Sequence, residues 1–201
     1  MKSIVTSHAF KATALLMFAV VWWIGYSKIN AFNAKADRAI FFSMRPVDYW
    51  GEIIQPASAI VYVAGAAILF AWPIAVTWNS PRIWRLIRRI ATGTVVGFLI
   101  FLLWPLNIRR PEFDGHRFGE SLMQAVFAVD DSANCFPSFH CFFAVLGAMV
   151  IQQNVTSKIW VAVAWLIACG VLISTIMTGQ HYLVDVLGGS TLAFLCVRFF
   201  E

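Results

Sequence analysis

The residues of this chain best suited to chemistry are His181 and Asp185, in a segment that reads Gln-His-Tyr-Leu-Val-Asp. Their spacing of four predicts that both side chains lie on one face of a helix, within reach of each other. An aspartate that bonds one imidazole nitrogen fixes the tautomer and stabilises positive charge on the ring. The other ring nitrogen is then free to attack an electrophile or to exchange protons.

A second segment, Phe-Pro-Ser-Phe-His, ends at His140. Pro137 predicts that a helix begins just after it, with Ser138 at its start, and the free N–H groups of a helix start favour phosphate. Upstream, Arg109 and Arg110 can make forked hydrogen bonds to phosphate oxygens. Together these residues indicate phosphoryl transfer. Simpler roles stay open, because Ser138 can merely cap the helix and an arginine at a membrane edge can merely anchor to headgroups.

The composition predicts an all-α integral membrane protein. The 201 residues are 60% hydrophobic and 12% charged, whereas a soluble domain is about half apolar and about a quarter charged. The net charge of +5 does not indicate a nucleic-acid partner, because Lys and Arg flank apolar stretches rather than forming a basic stripe. Six predominantly apolar stretches predict six transmembrane helices in a single domain over residues 1–201. They are residues 9–27, 53–79, 90–106, 139–151, 159–177 and 182–199.

The separation of the two histidines fits this arrangement. His140 and His181 are 41 residues apart, and a membrane-spanning helix needs about 20 residues. The chain can therefore cross the bilayer once and return between them. We expect both histidines on the same face of the membrane, where ionisable groups are usually functional.

The distribution of charge predicts which face that is. With the N-terminus in the cytoplasm, the inner segments carry an excess of Lys and Arg, and the outer segments carry all but one of the ten acidic residues. The short loop between the second and third stretches is rich in arginine and is expected inside. The histidines then face the periplasm of a bacterial inner membrane, or the lumen or exterior in a eukaryotic cell. The loop arginines can alternatively contact anionic headgroups. They are Arg82, Arg85, Arg88 and Arg89.

These motifs resemble those of the type 2 phosphatidic acid phosphatase family of membrane lipid phosphatases and phosphotransferases. The family's second motif is Pro-Ser-Gly-His, and residues 137–140 are similar to it. Its third motif places His and Asp four apart after Ser-Arg, and residues 174–185 keep that spacing. Arg110 and Pro111 lie where its first motif ends. The resemblance covers about residues 100–190 and implies a bundle of six transmembrane helices.

The resemblance also implies roles for individual residues. His181 would be the nucleophile that forms a phosphohistidine. Asp185 would orient it, and His140 would be the general acid that protonates the departing oxygen. Arg110 and Ser138 would hold the phosphate, and no metal or other cofactor would be required.

Three positions differ from the family pattern. Leu103 stands in place of a lysine, Thr175 in place of an arginine and Phe139 in place of a glycine. Two phosphate-binding cations are thus absent, and Arg109 or residues 116–117 are candidates to replace them. The amino-acid sequences of both histidine motifs are closer to a sub-branch similar to the inositol phosphorylceramide synthases. These enzymes transfer a phosphorylated headgroup between lipids.

The sequence therefore predicts a lipid phosphatase that hydrolyses a phosphate monoester or diphosphate at the outer face. One alternative is a phosphotransferase that moves a phosphoryl group or headgroup to another lipid or alcohol. Another is a non-catalytic protein that binds lipid or relays protons. An enzyme is favoured because binding alone needs neither a nucleophile nor an acid. The expected partners are a phosphorylated lipid and the surrounding membrane lipids, and no sequence feature indicates an oligomeric state.

Overall fold

The computed structural model describes residues 7–35, 40–41, 58–108, 110, 112, 114–116, 118–130 and 132–201. These residues form helices almost throughout. Seven helices are present in the described part of the chain: α1 (His8–Lys35), α2 (Ser58–Thr77), α3 (Arg82–Leu103), α4 (Phe118–Val129), α5 (Phe139–Asn154), α6 (Lys158–Met177) and α7 (Leu183–Phe199). Two short strands, β1 (Ile40–Phe41) and β2 (Leu106–Asn107), pair in parallel.

The helices confirm an all-α integral membrane protein. Four of them, α1, α2, α3 and α6, are long and apolar enough to cross a bilayer. The other two predicted spans also form helices, but α5 has 16 residues and α7 has 17. At 1.5 Å per residue, α5 is about 24 Å long, which is shorter than the roughly 30 Å hydrocarbon core.

Two helices extend beyond the apolar stretches that predict them. Helix α3 begins at Arg82, although its predicted span begins at residue 90, and α1 continues to Lys35 rather than ending at residue 27. Arginine and lysine are good helix formers, so the backbone stays helical after the apolar stretch ends. Residues 53–57, where the second predicted span begins, lie outside the described residues.

Helix α5 lies at the centre of the bundle. It packs against α2, α6 and α7, and ten of its 16 residues are buried. A helix that is apolar on all sides is buried on all sides. Because α5 carries His140 near its first residue, the best-packed element of the fold positions one end of the candidate site.

Helix α1 lies at the edge of the bundle with its polar side chains inward. Its buried residues are Lys11, Asn30 and Asn33, while most of its apolar side chains are exposed. The ammonium of Lys11 donates to the carbonyl of Trp78 at 2.8 Å, and the amide of Asn33 donates to the carbonyl of Phe101 at 2.9 Å. This inverted pattern suits a helix that faces lipid, where exposed apolar surface carries no penalty.

Candidate active site

The loop between α6 and α7 carries His181. Helix α6 ends at Met177, and Gly179 just after it lies in the left-handed region at φ 69°, a conformation that glycine adopts without steric cost. The N–H groups of Gln180 and His181 then donate to the carbonyl of Thr175 at 3.1 and 3.2 Å. These bonds fold the loop back onto the last turn of α6 and hold His181 just before α7 begins.

His181 and Asp185 lie beside each other, but not on consecutive turns of one helix. His181 precedes α7, and Asp185 occupies the third position of α7 in a capping box with Tyr182. The Oδ2 atom of Asp185 accepts the N–H of Tyr182 at 2.7 Å and lies 3.5 Å from Nδ1 of His181. The predicted proximity is therefore present, although the cap produces it rather than helical stacking.

The carboxylate of Asp185 is fully buried, and His181 is 8% exposed. Among the described atoms, Asp185 Oδ1 and His181 Nδ1 have no hydrogen-bond partner of good geometry. At 3.5 Å, the pair interacts mainly by charge. The structure thus places a buried anion behind one nitrogen of an almost buried imidazole.

His140 lies on the other side of the same space. Its ring centroid is 6.2 Å from that of His181, with 55° between the ring planes. The Nδ1 atom of His140 is 3.0 Å from the hydroxyl of Tyr62, and these two rings lie 4.2 Å apart. Tyr62 was not indicated by the sequence, where it is one aromatic residue in an apolar stretch. It belongs to a π-helical turn within α2, Val61–Gly65, and such turns often occur at functional sites.

Ser138 caps α5 and is fully buried. Its hydroxyl accepts the N–H of Cys141 at 3.4 Å, and its own N–H donates to the carbonyl of Asp185 at 3.1 Å. A Cβ atom on Gly189 would lie 2.2 Å from the Ser138 carbonyl oxygen, so the backbones of α5 and α7 touch here. The contact ties the two histidine segments together. A direct contact of Ser138 with phosphate stays a prediction.

Arg110 contacts the residue before His181 but is already paired. Its guanidinium donates to the backbone carbonyl of Asp130, to the Asp130 carboxylate at 3.4 Å and to the side chain of Gln180 at 3.4 Å. It also lies 4.6 Å from the ring centre of Phe127. Gln180 precedes His181 in the chain, so the arginine is linked directly to the histidine loop.

Asp130 is a residue that the sequence analysis did not single out. Its Oδ1 atom accepts the hydroxyl of Tyr26 at 2.8 Å and the amide of Asn30 at 2.9 Å, both from α1. Its partners lie 20, 100 and 104 residues away. No local sequence pattern could have indicated the contacts with Tyr26 and Asn30, because both depend on the packing of α1.

The other predicted phosphate-binding positions contribute no described cation. Arg109, like Pro111 and Arg117, lies outside the described residues. Leu103 is 83% exposed at the end of α3. Thr175 is fully buried, and its hydroxyl donates to the carbonyl of Leu172 at 2.7 Å. Within the described part of the site, the charge that the family motif obtains from those two positions is therefore absent.

A cavity of about 180 Å³ lies between the two histidines and helix α1. His140 and His181 line one side of it, and α1 supplies a wall that includes Trp22, Trp23 and Tyr26. Asp130 also contributes to the lining. The cavity is therefore mainly aromatic, with a few polar groups at one end, as is usual for sites that hold a ligand with an apolar part.

Cys135 is the remaining ionisable group beside the histidine loop. Its sulfur and one ligand atom each of His181 and Asp185 lie within 4.8 Å of one another, so these are the described residues best placed to hold a metal. Burial raises the pKa of the Cys135 thiol well above its ordinary value. The thiol also donates to the carbonyl of Ser132 at 3.0 Å. A protonated thiol is a poor metal ligand.

Comparison with known proteins places the chain in a family. A family model described as the PAP2 superfamily matches residues 34–199. No curated protein and no solved structure matches the chain significantly. The match includes both histidine segments and excludes all but the last two residues of α1. Because the match covers most of the chain, the protein belongs to the PAP2 superfamily of phosphatases and phosphotransferases.

Proposed function

We propose that this protein cleaves a phosphate ester of a membrane lipid through a phosphohistidine formed on His181. The observation that carries the proposal is that His181 and His140 line one cavity, with the buried carboxylate of Asp185 beside His181. The Asp185 carboxylate lies 3.5 Å from Nδ1 of His181, which leaves Nε2 as the nitrogen available for attack. The centroid separation of 6.2 Å between the histidine rings allows both to contact one phosphoryl group.

The proposed reaction has two steps. Nε2 of His181 attacks phosphorus, a nitrogen–phosphorus bond forms, and the bond from phosphorus to the lipid oxygen breaks. His140 acts in its protonated form: it gives the proton on Nε2 to the departing oxygen and becomes neutral, while Nδ1 keeps its proton and its contact with the hydroxyl of Tyr62. Water then gives a proton to Nε2 of His140 and attacks phosphorus. The nitrogen–phosphorus bond breaks, phosphate is released and both histidines are restored. Asp185 stabilises the positive charge on His181 during both steps.

Phosphate binding is assigned to Arg110, with Arg109 and the first turn of α5 after Ser138 as further donors. Arg110 reaches the site through its contact with Gln180, and its forked guanidinium matches phosphate geometry. No step of this mechanism requires a metal or another cofactor. Activity is therefore expected to survive chelation.

We place the protein in a bacterial inner membrane as a single domain of six spans, with the histidines facing the periplasm. The proposal rests on the excess of positive charge at the opposite end of the bundle. Helices α5 and α7 are the shortest of the six. Helix α5 is surrounded by other helices, so its length does not need to match the bilayer thickness.

A second candidate reaction is transfer of a phosphorylated headgroup from a lipid phosphodiester to an alcohol or a second lipid. The charge of the site favours it, because Asp130 neutralises Arg110 and neither Leu103 nor Thr175 supplies a cation. A phosphodiester carries one negative charge and a phosphate monoester nearly two at neutral pH. A site with little positive charge binds the diester at less electrostatic cost. This candidate also fits the resemblance to inositol phosphorylceramide synthases.

The test is incubation of the purified protein with phosphatidic acid, a polyprenyl diphosphate, and phosphatidylglycerol with and without an added alcohol. Free phosphate and new lipid species are followed together by mass spectrometry. Release of phosphate supports hydrolysis, and a new lipid diester supports headgroup transfer. His181→Ala should abolish either product. The matched control is His8→Ala. His8 stacks on Trp78 and is the first residue of α1, at the end of that helix away from the cavity. Turnover that survives in folded His181→Ala protein would refute the mechanism.

A further inference from the structure

A second cavity lies at the end of the bundle opposite the histidines. It has a volume of about 160 Å³, and its polar lining comes from Thr77 of α2, Arg82, Arg85 and Arg89 of α3, and Gln153 and Asn154 of α5. Helix α5 begins beside the candidate active site and ends at this cavity. The two sites are therefore separated by its length, about 24 Å.

The lining of this cavity is positively charged, and none of the described residues that form it is acidic. Two of its arginines are fixed by amides: Arg82 donates to Asn154 at 2.9 Å, and Arg89 donates to Gln153 at 2.9 Å. Glu201, which follows α7, pairs with Arg198 and also interacts by charge with Arg89, but it does not line the cavity. Three like charges around one small cavity repel each other unless an anion joins them.

Arg89 shows that the cavity is built rather than incidental. Its side chain is 2% exposed, and a second amino group of its guanidinium donates to the carbonyls of Val197 and Phe200 at the end of α7. Its Nε atom has no hydrogen-bond partner among the described residues. A buried guanidinium with an unused donor is costly, and an anion bound beside Arg89 in the cavity would offset part of that cost by its charge.

The depth of the cavity matches that of lipid headgroups. Trp78 follows α2, Trp84 lies in the first turn of α3, and Trp160 lies in the first turn of α6. All three are at the same end of the bundle as the arginines. Tryptophan is enriched where hydrocarbon meets headgroups, so this end of the bundle lies at that boundary.

We propose that the cavity binds the phosphate group of an anionic phospholipid at the face opposite the active site. Arginine provides the forked donors that recognise phosphate, and basic pockets between transmembrane helices on the cytoplasmic side bind such headgroups. The ligand bridges α3 and α5 directly, and it contacts the end of α7 through Arg89. Since α5 and α7 carry the catalytic segments at their other ends, the bound lipid stabilises the helices that hold the site. The proposal does not depend on the reaction catalysed.

The test uses the purified full chain in phosphatidylcholine nanodiscs. Phosphatidylglycerol or cardiolipin is added in one arm and inorganic phosphate in the other, and retained ligand and the shift in melting temperature are measured. A ligand that binds only the folded protein raises its stability in proportion to occupancy. The test variant is Arg82→Gln with Arg85→Gln. Arg89 is kept, because its loss would free the carbonyls of α7. The control is Arg88→Gln, an exposed arginine of the same helix that does not line the cavity.

We expect the anionic lipid to stabilise the wild type and Arg88→Gln equally, and the double variant to lose about tenfold or more in affinity. Stabilisation by lipid but not by inorganic phosphate identifies a headgroup site. Stabilisation by both, with loss of both in the double variant, identifies a phosphate site that also accepts the free ion. An equal loss in Arg88→Gln would mean that any surface arginine suffices, and this would overturn the proposal. Failure of both ligands to stabilise the wild type would overturn it as well.

Discussion

Asp185 has two tasks in the proposed mechanism, and the substitution Asp185→Asn separates them. Its Oδ2 atom accepts the N–H of Tyr182 and so caps α7. Its negative charge, 3.5 Å from Nδ1 of His181, stabilises the ring when it carries a phosphoryl group. Asparagine can still accept the N–H through its carbonyl oxygen but has no charge. Alanine loses both functions.

The structure sets the size of each effect. Two unit charges 3.5 Å apart interact by about 5 kcal/mol at an effective dielectric constant of about 20. Part of this is lost to relaxation, so we expect Asp185→Asn to lower the rate of phosphoenzyme formation by about 10²–10⁴-fold. The scale agrees with that of asparagine in a Ser-His-Asp triad. Asparagine and aspartate are similar caps, so the free energy of unfolding of Asp185→Asn should be within about 1 kcal/mol of that of the wild type.

Single-turnover kinetics with acid-labile phosphoenzyme as the readout measures the first effect, and thermal unfolding in detergent measures the second. Asp185→Ala should show the same loss of rate and a further loss of stability of about 1 kcal/mol from the missing cap. Asp114→Asn, in an exposed loop, is the control and should change neither. An Asp185→Asn protein whose rate is within about threefold of the wild type would refute electrostatic support of His181, because that ratio is under 1 kcal/mol.

Three further predictions follow from the same geometry. Arg110→Ala should lower kcat/KM by an amount equivalent to about 2–4 kcal/mol, with only partial recovery in Arg110→Lys; an unchanged kcat/KM would show that phosphate is held elsewhere. Gly189→Ala places a Cβ atom 2.2 Å from a backbone oxygen of Ser138, so it should cost about 1–3 kcal/mol of stability and most of the turnover. The control is Gly170→Ala, whose Cβ atom would lie 3.2 Å from a side-chain methyl group of Val61 that can shift; it should melt closer to the wild type than Gly189→Ala, and equal losses would contradict the contact. Because burial raises the pKa of Cys135, its thiolate fraction at neutral pH is low, and a maleimide should label it about tenfold or more slowly in the folded than in the denatured protein. Equal rates would contradict its burial.

The membrane class and most of the helices could be predicted from the sequence, because both depend on local composition. Each predicted span lies largely in helix where the chain is described. The predicted ends of the helices were less accurate than their positions. Helix α3 includes four arginines before its apolar part, since helix formation does not end where charge begins. Length alone also does not decide which helices face lipid, and α5 is short because its surroundings are protein.

The two histidine segments could be predicted because their spacing encodes their position. One crossing and a return bring His140 and His181 to the same end of the bundle, where the structure has them. Tyr62 and Asp130 could not be predicted, because their contacts join residues 78 and 104 positions apart. The carboxylate of Asp130 became relevant only once α1 was packed beside it.

Helix α1 affects the charge of the site through its contacts with Asp130. The family match begins at residue 34 and contains the proposed nucleophile, acid and phosphate-binding arginine. Tyr26 and Asn30 precede it and hold the carboxylate that neutralises Arg110. In the proposed function, the shared part of the fold therefore supplies the reaction and α1 sets the charge of the site. Because that charge determines how strongly a phosphate with one or two negative charges binds, we expect the contacts made by α1 to affect the preference for a phosphate monoester or a phosphodiester.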